Sequence, residues 1–233
     1  MSPRRSRSVR HVAVVVPAHD EEELLGRALV SIREALAALP ASLDRTLVVV
    51  ADACRDRTEE VARAHGARVV RSAARSVGVA RATGVESLRS PVGGTWVAMT
   101  DADCVVPPDW VTGQLEAARR GADLVVGRVR LDPADVSPEV LAAWTRAHAG
   151  EGTLDHVHGA NLGFRLRAYR RVGGFAPLPE HEDVAFVDAL TTSAVRIEPG
   201  PPVLPSGRLH NRVPGGFAGY LAALSADEQP SAS

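Results

Sequence analysis

The chain contains no lysine; all 27 of its Lys and Arg residues are arginine. Walker-type phosphate loops, Schiff-base chemistry and pyridoxal phosphate enzymes all depend on a lysine amine, so each is excluded. Phosphate recognition falls to arginine, backbone N–H groups or a metal. Cysteine is nearly as scarce: Cys54 and Cys104 lie far apart, form no Cys-x-x-Cys motif and suit a reduced, cytoplasmic protein. A net charge of −1 gives no basic field for a nucleic acid. No apolar run approaches the roughly 20 residues that cross a bilayer, so no transmembrane segment is expected. Arg4, Arg5, Arg7 and Arg10 precede no signal-peptide core, because Val12–Val16 is cut short by Pro17. Residues 1–10 read as a disordered basic arm that a membrane surface or acidic partner could touch. Residues 225–233, small and polar, read as a disordered tail.

What is present is ordinary for a globular protein: 45% hydrophobic and 24% charged residues in 233, enough to build a substantial core. Val-rich runs at Val12–Val16, Thr46–Ala51, Ala67–Arg71 and Thr95–Thr100 predict buried parallel strands. Between the first two, Leu25, Ala28, Leu29, Ile32, Leu36 and Leu39 recur at helical spacing, with Asp20 as the expected N-cap. Helices are predicted over 56–64, 76–88 and 108–120. The result is βαβαβαβ, a Rossmann-like doubly wound, mostly parallel α/β sheet with helices on both faces. Further on, 123–129 predicts a strand and 137–149 a helix. The Gly- and His-rich stretch 150–163 predicts a loop over the site, order resumes over 164–171, and 182–190 predicts a helix. Residues 199–205 predict a Pro-rich turn. No linker interrupts the pattern, so residues 11–224 are read as one domain.

In a doubly wound sheet, ligands bind beyond the carboxyl ends of the strands. Those ends here are Pro17-Ala18-His19-Asp20, Asp52-Ala53-Cys54 and Asp101-Ala102-Asp103. Side chains two apart on an extended chain share a face, so Asp101 and Asp103 are expected to share one hard cation, Mg2+ or Mn2+, which also takes phosphate oxygens. A polar turn at the end of a strand is the plainer reading of Asp-x-Asp by itself.

Taken in order, the motifs resemble glycosyltransferase family 2, nucleotide-sugar-dependent enzymes with the GT-A fold. The matching stretches are 14–22 (Val-Val-Val-Pro-Ala-His-Asp-Glu-Glu), 48–58 (Val-Val-Val-Ala-Asp-Ala-Cys-Arg-Asp-Arg-Thr) and Asp101-Ala102-Asp103. They continue with 158–165 (His-Gly-Ala-Asn-Leu-Gly-Phe-Arg), Gly173-Gly174-Phe175 and His181-Glu182-Asp183-Val184. The resemblance covers residues 11 to 222.

The resemblance implies a metal-dependent, inverting transfer of a sugar from a UDP- or GDP-linked donor to a hydroxyl acceptor, either a small molecule or lipid-linked. It places Pro17, Ala18, His19, Glu21 and Asp52 near the nucleoside, with Asp101 and Ala102 beside it. Asp103, Asp101 and His210 become the metal set. Arg81, Arg208 and Arg212 become phosphate contacts, and Asn161 the floor of the sugar or acceptor pocket. Asp183 becomes the general base, accompanied by Glu182. His19 stands where relatives often carry an aromatic ring, and Ala53-Cys54 departs from the common second motif. Two other readings remain open. One is a catalytically silent module that binds a nucleotide sugar. The other is a metallohydrolase built on His156, His158, His181 and Asp183, which leaves Asp101 and Asp103 without a role. A cytoplasmic protein, soluble or peripheral at a membrane, is expected; oligomeric state is left open.

Overall fold

A computed structural model describes residues 8–90, 92–150, 152, 157–208, 217 and 219–221. Its first half follows the predicted alternation: β1 (His11–Ala18), α1 (Leu25–Ala37), β2 (Asp44–Asp52), α2 (Thr58–Ala64), β3 (Arg68–Ser72), α3 (Val77–Glu86), β4 (Thr95–Met99) and α4 (Trp110–Arg120). The second half holds β5 (Leu124–Val129), α5 (Pro138–Ala147), a 3-10 turn at Gly159–Asn161, β6 (Leu162–Arg165), α6 (Leu166–Arg171), α7 (Glu182–Thr191) and β7 (Ile197–Val203). The seven strands form one sheet in the order β3-β2-β1-β4-β6-β5-β7. Only β6 runs against its neighbours; the other pairings are parallel.

Strand alternation assigns the core to two faces. Val12, Val14, Val16 and Val49 pack with Leu25, Leu29 and Ile32 of α1 and Trp110 and Leu115 of α4 on one side. Ala13, Val15, Val48 and Val50 pack with Ala80 and Val85 of α3 and Phe186 and Leu190 of α7 on the other. Both faces of β1 are therefore apolar, as its unbroken Val run requires of a central parallel strand.

Four expectations are corrected. Helix α1 begins at Leu25, and Asp20 does not cap it: Asp20 has a left-handed backbone (φ 50°), and its carboxylate accepts the Arg55 N–H at 2.6 Å. The 150–163 loop ends early, because Leu162 and Gly163 already belong to β6. The run 199–205 is mostly strand: Pro199, Pro201 and Pro202 lie in β7, which among the described residues pairs only with β5 and forms an edge of the sheet. Proline lacks an N–H and is tolerated at such an edge. Finally, β4 stops at Met99, and Asp101 to Cys104 form a turn closed by the Cys104 N–H donating to the Asp101 carbonyl at 3.2 Å. The two aspartates are thus brought together by a turn rather than by the pleat of a strand.

Candidate active site

The chain leaves β1 outward through β2 and β3, then returns to β4 on the other side of β1. This reversal opens a crevice beyond the carboxyl ends of β1 and β4, where a doubly wound sheet takes its ligand. Of the non-glycine residues with positive φ among those described, Asp20, Ala53, Arg75 and His181 all lie in loops that the fold brings to this rim or to the start of α7. Such backbone costs about 1–3 kcal/mol per residue and gathers at functional sites.

At the centre sits Arg81 of α3, 5% exposed. One terminal nitrogen donates to Asp101 Oδ1 at 2.7 Å and the other to Glu182 Oε1. Burial alone would lower its pKa, but Asp101, Glu182 and Asp183 outweigh burial and hold the guanidinium charged. The Asp-x-Asp turn and the start of α7, 80 residues apart in sequence, thus meet on one cation. Arg81, expected as a phosphate contact, instead faces carboxylates. Glu182, expected beside the base as a catalytic group, is 2% exposed and turned onto Arg81. Its carboxylate accepts from Arg81 and holds that side chain in place.

Asp183 has a different setting. Its Oδ2 accepts the Gly159 N–H at 2.6 Å and its Oδ1 the Val184 N–H at 2.9 Å. A carboxylate offers about four lone-pair sites, so two remain for an incoming hydroxyl. Gly159 is required for this geometry, because a Cβ there would overlap the Arg81 guanidinium. The sequence pointed to the Gly159–Gly163 stretch but gave no sign that its backbone would hold Asp183.

Asp103 is largely buried beside Asp101. Burial, then the Asp101 charge, push its pKa above the usual range, while Arg208 and Ser206 pull it down. Its Oδ2 accepts Ser206 Oγ–H at 2.9 Å and lies 3.0 Å from Arg208. Arg208 also forks onto Glu21, at 2.9 and 2.6 Å. Ser206 escaped the sequence reading because its partner lies 103 residues away.

Around the β1 and β2 ends, Pro17, Ala18 and Ala102 are buried and shape the rim through backbone. The Asp52 carboxylate accepts the N–H groups of Ala74 and Ser76, both at 2.8 Å, and so fixes the entry to α3. His19 Nδ1 lies 2.6 Å from the Asp52 carbonyl, which ties the two strand ends together. Asn161, expected in the pocket floor, has all its amide contacts within the protein. It is fully buried, donates to the carbonyls of Arg128 and Pro201 at 2.9 and 2.8 Å, and accepts from Trp110 Nε1 at 2.9 Å. Its amide braces β5, β7 and α4. His210 and Arg212, and His156 of the metallohydrolase reading, lie outside the described residues.

Two groups of potential metal ligands emerge. Asp101 and Asp103 offer hard oxygens at the crevice, and with Glu182 and Glu21 they set four carboxylates around the two guanidiniums of Arg81 and Arg208, which fits Mg2+ or Mn2+. Asp20, Cys54 and Asp56 also approach within 4.8 Å of one another. Their oxygens, however, accept from the loop N–H groups of Arg55, Glu22 and Thr58. Burial raises the pKa of the Cys54 thiol, which keeps it protonated.

Dolichyl-phosphate hexose transferase of Haloferax volcanii is 31% identical over 163 residues, 69% of this chain and 66% of that protein. Among solved structures, S. aureus TarS 1-349 in complex with UDP-GlcNAc superimposes with TM-score 0.68 at 15% identity, over 89% of this chain and 61% of that one. The mannosyltransferase PcManGT of Pyrobaculum calidifontis, in complex with GDP-Man and Mn2+, gives 0.66 at 20% identity, over 91% and 60%. The chain thus spans no more than about two thirds of these relatives' length, and the two structures share its GT-A fold. The sequence profile of Glycosyl transferase family 2 matches residues 13–173, most of the chain and every strand from β1 to β6, and the chain belongs to that family.

Proposed function

We propose that the protein is a metal-dependent, inverting glycosyltransferase that moves a sugar from a nucleoside diphosphate sugar to an acceptor oxygen. The observation that carries this reading is the single buried guanidinium of Arg81, which joins Asp101 of the donor crevice to Glu182, next to the base Asp183. Donor and acceptor chemistry need to meet within one bond length, and Arg81 ties the two motifs that would serve them.

The nucleoside lies against the β1 and β2 ends, with Glu21 and the His19–Asp52 pair defining the edge. Asp103, with Asp101, would hold Mg2+ or Mn2+, which when bound supplies Lewis-acid stabilisation of the departing diphosphate. Asp183 accepts the acceptor proton as the new C–O bond forms and the bond to the diphosphate breaks. One base on the side opposite the leaving group gives a single displacement and inverted anomeric configuration. The N–H groups of Gly159 and Val184 hold both oxygens of Asp183, so the base is oriented before the acceptor arrives.

UDP and GDP donors both suit the reading, because relatives of this fold were solved with each. The dolichyl-phosphate relative supports a lipid-linked acceptor, reached from a membrane surface. Among the described residues no helix is long and apolar enough to cross a membrane. The test is calorimetric titration with UDP- and GDP-sugars, with and without Mn2+, followed by assay of UDP or GDP release. Binding that requires Mn2+ is expected. Absence of binding by every donor in the presence of Mn2+ overturns the proposal.

A further inference from the structure

The two carboxylates of the Asp-x-Asp turn are each held by an arginine, but the two arginines are anchored very differently. Arg81, on Asp101, is 5% exposed, sits on a helix, and is locked between Glu182 and Gly159. Arg208, on Asp103, has a side chain 27% exposed and sits in the segment that follows β7. That segment first runs beside the Asp-x-Asp turn, where Leu204 and Val105 exchange backbone hydrogen bonds at 2.7 and 2.9 Å. Ser206 then reaches Asp103, and Gly207 packs so closely on the Asp135 carbonyl that a Cβ would overlap it. Asp135 is itself tied to Arg27 of α1 at 3.0 Å. The strap is therefore pinned up to residue 207, and the Arg208 side chain is delivered over the crevice.

There the guanidinium makes a fork on Glu21 and reaches Asp103 Oδ2 at 3.0 Å. It thereby takes up Asp103 Oδ2, an oxygen that a cation held by Asp103 would compete for. Arginine is also well suited to a diphosphate, which offers paired oxygens to the same fork. One side chain thus has two competing sets of partners, acidic residues and phosphate.

We propose that Arg208 is an exchange latch. Without donor it covers Asp103 and neutralises it; a nucleoside diphosphate draws the guanidinium onto its phosphates and uncovers Asp103 for the metal. Metal and nucleotide binding are then coupled through one side chain, since each is favoured by the state the other leaves. The inference rests on the glycosyltransferase reading above and adds to it an order of events and a residue that enforces it. Arg81 cannot take this part, because releasing it would leave Glu182 buried and unpaired.

The test measures Mn2+ binding to the nucleotide-free protein, by the loss of the free-Mn2+ electron paramagnetic resonance signal, for wild type, Arg208→Met and Arg208→Lys. UDP and GDP affinities are measured in parallel. Arg208→Met is expected to bind Mn2+ alone about tenfold more tightly and the nucleoside diphosphate about tenfold more weakly, about 1.4 kcal/mol in opposite directions. Arg208→Lys separates occupancy from a simple field effect. Lysine keeps the charge but loses the planar two-nitrogen fork onto Glu21 that holds the guanidinium against Asp103. A latch puts Arg208→Lys with Arg208→Met, and a field effect puts it with wild type and overturns the latch. Unchanged Mn2+ affinity in Arg208→Met, with wild type still binding UDP or GDP, overturns the latch and leaves the glycosyltransferase reading intact. Failure of wild type to bind either nucleotide overturns both.

Discussion

The two halves of the sheet are built by different means. From β1 to β4 the strands are parallel and Val-rich, and apolar burial on both faces needs little polar help. From β5 to β7 the sheet reverses direction at β6 and ends in a proline-bearing edge. Buried polar side chains hold it together: Asn161 braces two strands and a helix, and Arg165 donates to the carbonyls of Ala122 and Ala118 at 2.9 and 2.6 Å. The first half presents the crevice and the second half presents Asp183, the proposed base. Arg81 links them. Substitutions at Asp101 and Asp103 in the first half should therefore act mainly on binding, and those at Asp183 and Asn161 in the second on turnover and stability.

The sharpest test of that division is Asp183→Asn. Loss of a general base costs about 10²–10⁴-fold in kcat, and donor affinity measured by calorimetry should stay unchanged. Arg81→Leu breaks the link itself. It leaves Glu182 buried without a partner, an expected loss of about 3–5 kcal/mol in urea unfolding. Adding Glu182→Leu should restore part of that loss without restoring activity. Asn161→Leu strands the buried Trp110 N–H and two carbonyls at once, and about 2–3 kcal/mol of destabilisation is expected; a wild-type unfolding midpoint would show that the amide is not a brace. The smallest effect belongs to the first half's surface. Arg71 and Arg63 hold the Glu59 carboxyl down at about 2, from an ordinary value of 4.5. Because the folded-state pKa is the lower one, this contribution is fully present above about pH 4.5 and is lost as pH falls toward 2. Both arginines are solvent-exposed, so Glu59→Gln should lower Tm at pH 7 by only about 1–2 °C, with the difference vanishing near pH 2.

The same division governs what could be read from the sequence. Strands β1 to β4 and helices α1 to α4 were legible because their apolar periods are long and local, and the parallel sheet follows from their alternation. Asp101, Asp103, Glu182 and Asp183 were legible as acidic motifs at element ends. Their arrangement was not. Arg81 reads equally well as a phosphate ligand or a solvated helix residue until the fold sets Asp101 and Glu182 on either side of it. Strand β6 is four residues long with a glycine inside, too short to show a period. Strand β7 looks like a turn because proline is normally excluded from sheets, and only its edge position permits it. Asn161 was assigned to ligand because nothing local indicates that Trp110, 51 residues earlier, needs an acceptor. Ser206 and Arg208 meet Asp103 across more than 100 residues, beyond any local pattern.

Gly159 has a practical consequence for changing acceptor preference by directed diversification of this loop. Its missing methyl group makes room for the Arg81 guanidinium, and its amide holds Asp183. A randomised library that includes this position should lose activity in nearly every member whatever new contacts the neighbouring codons encode. Keeping the glycine and varying His158 and Ala160 on either side would confine the search to variants whose catalytic frame still assembles.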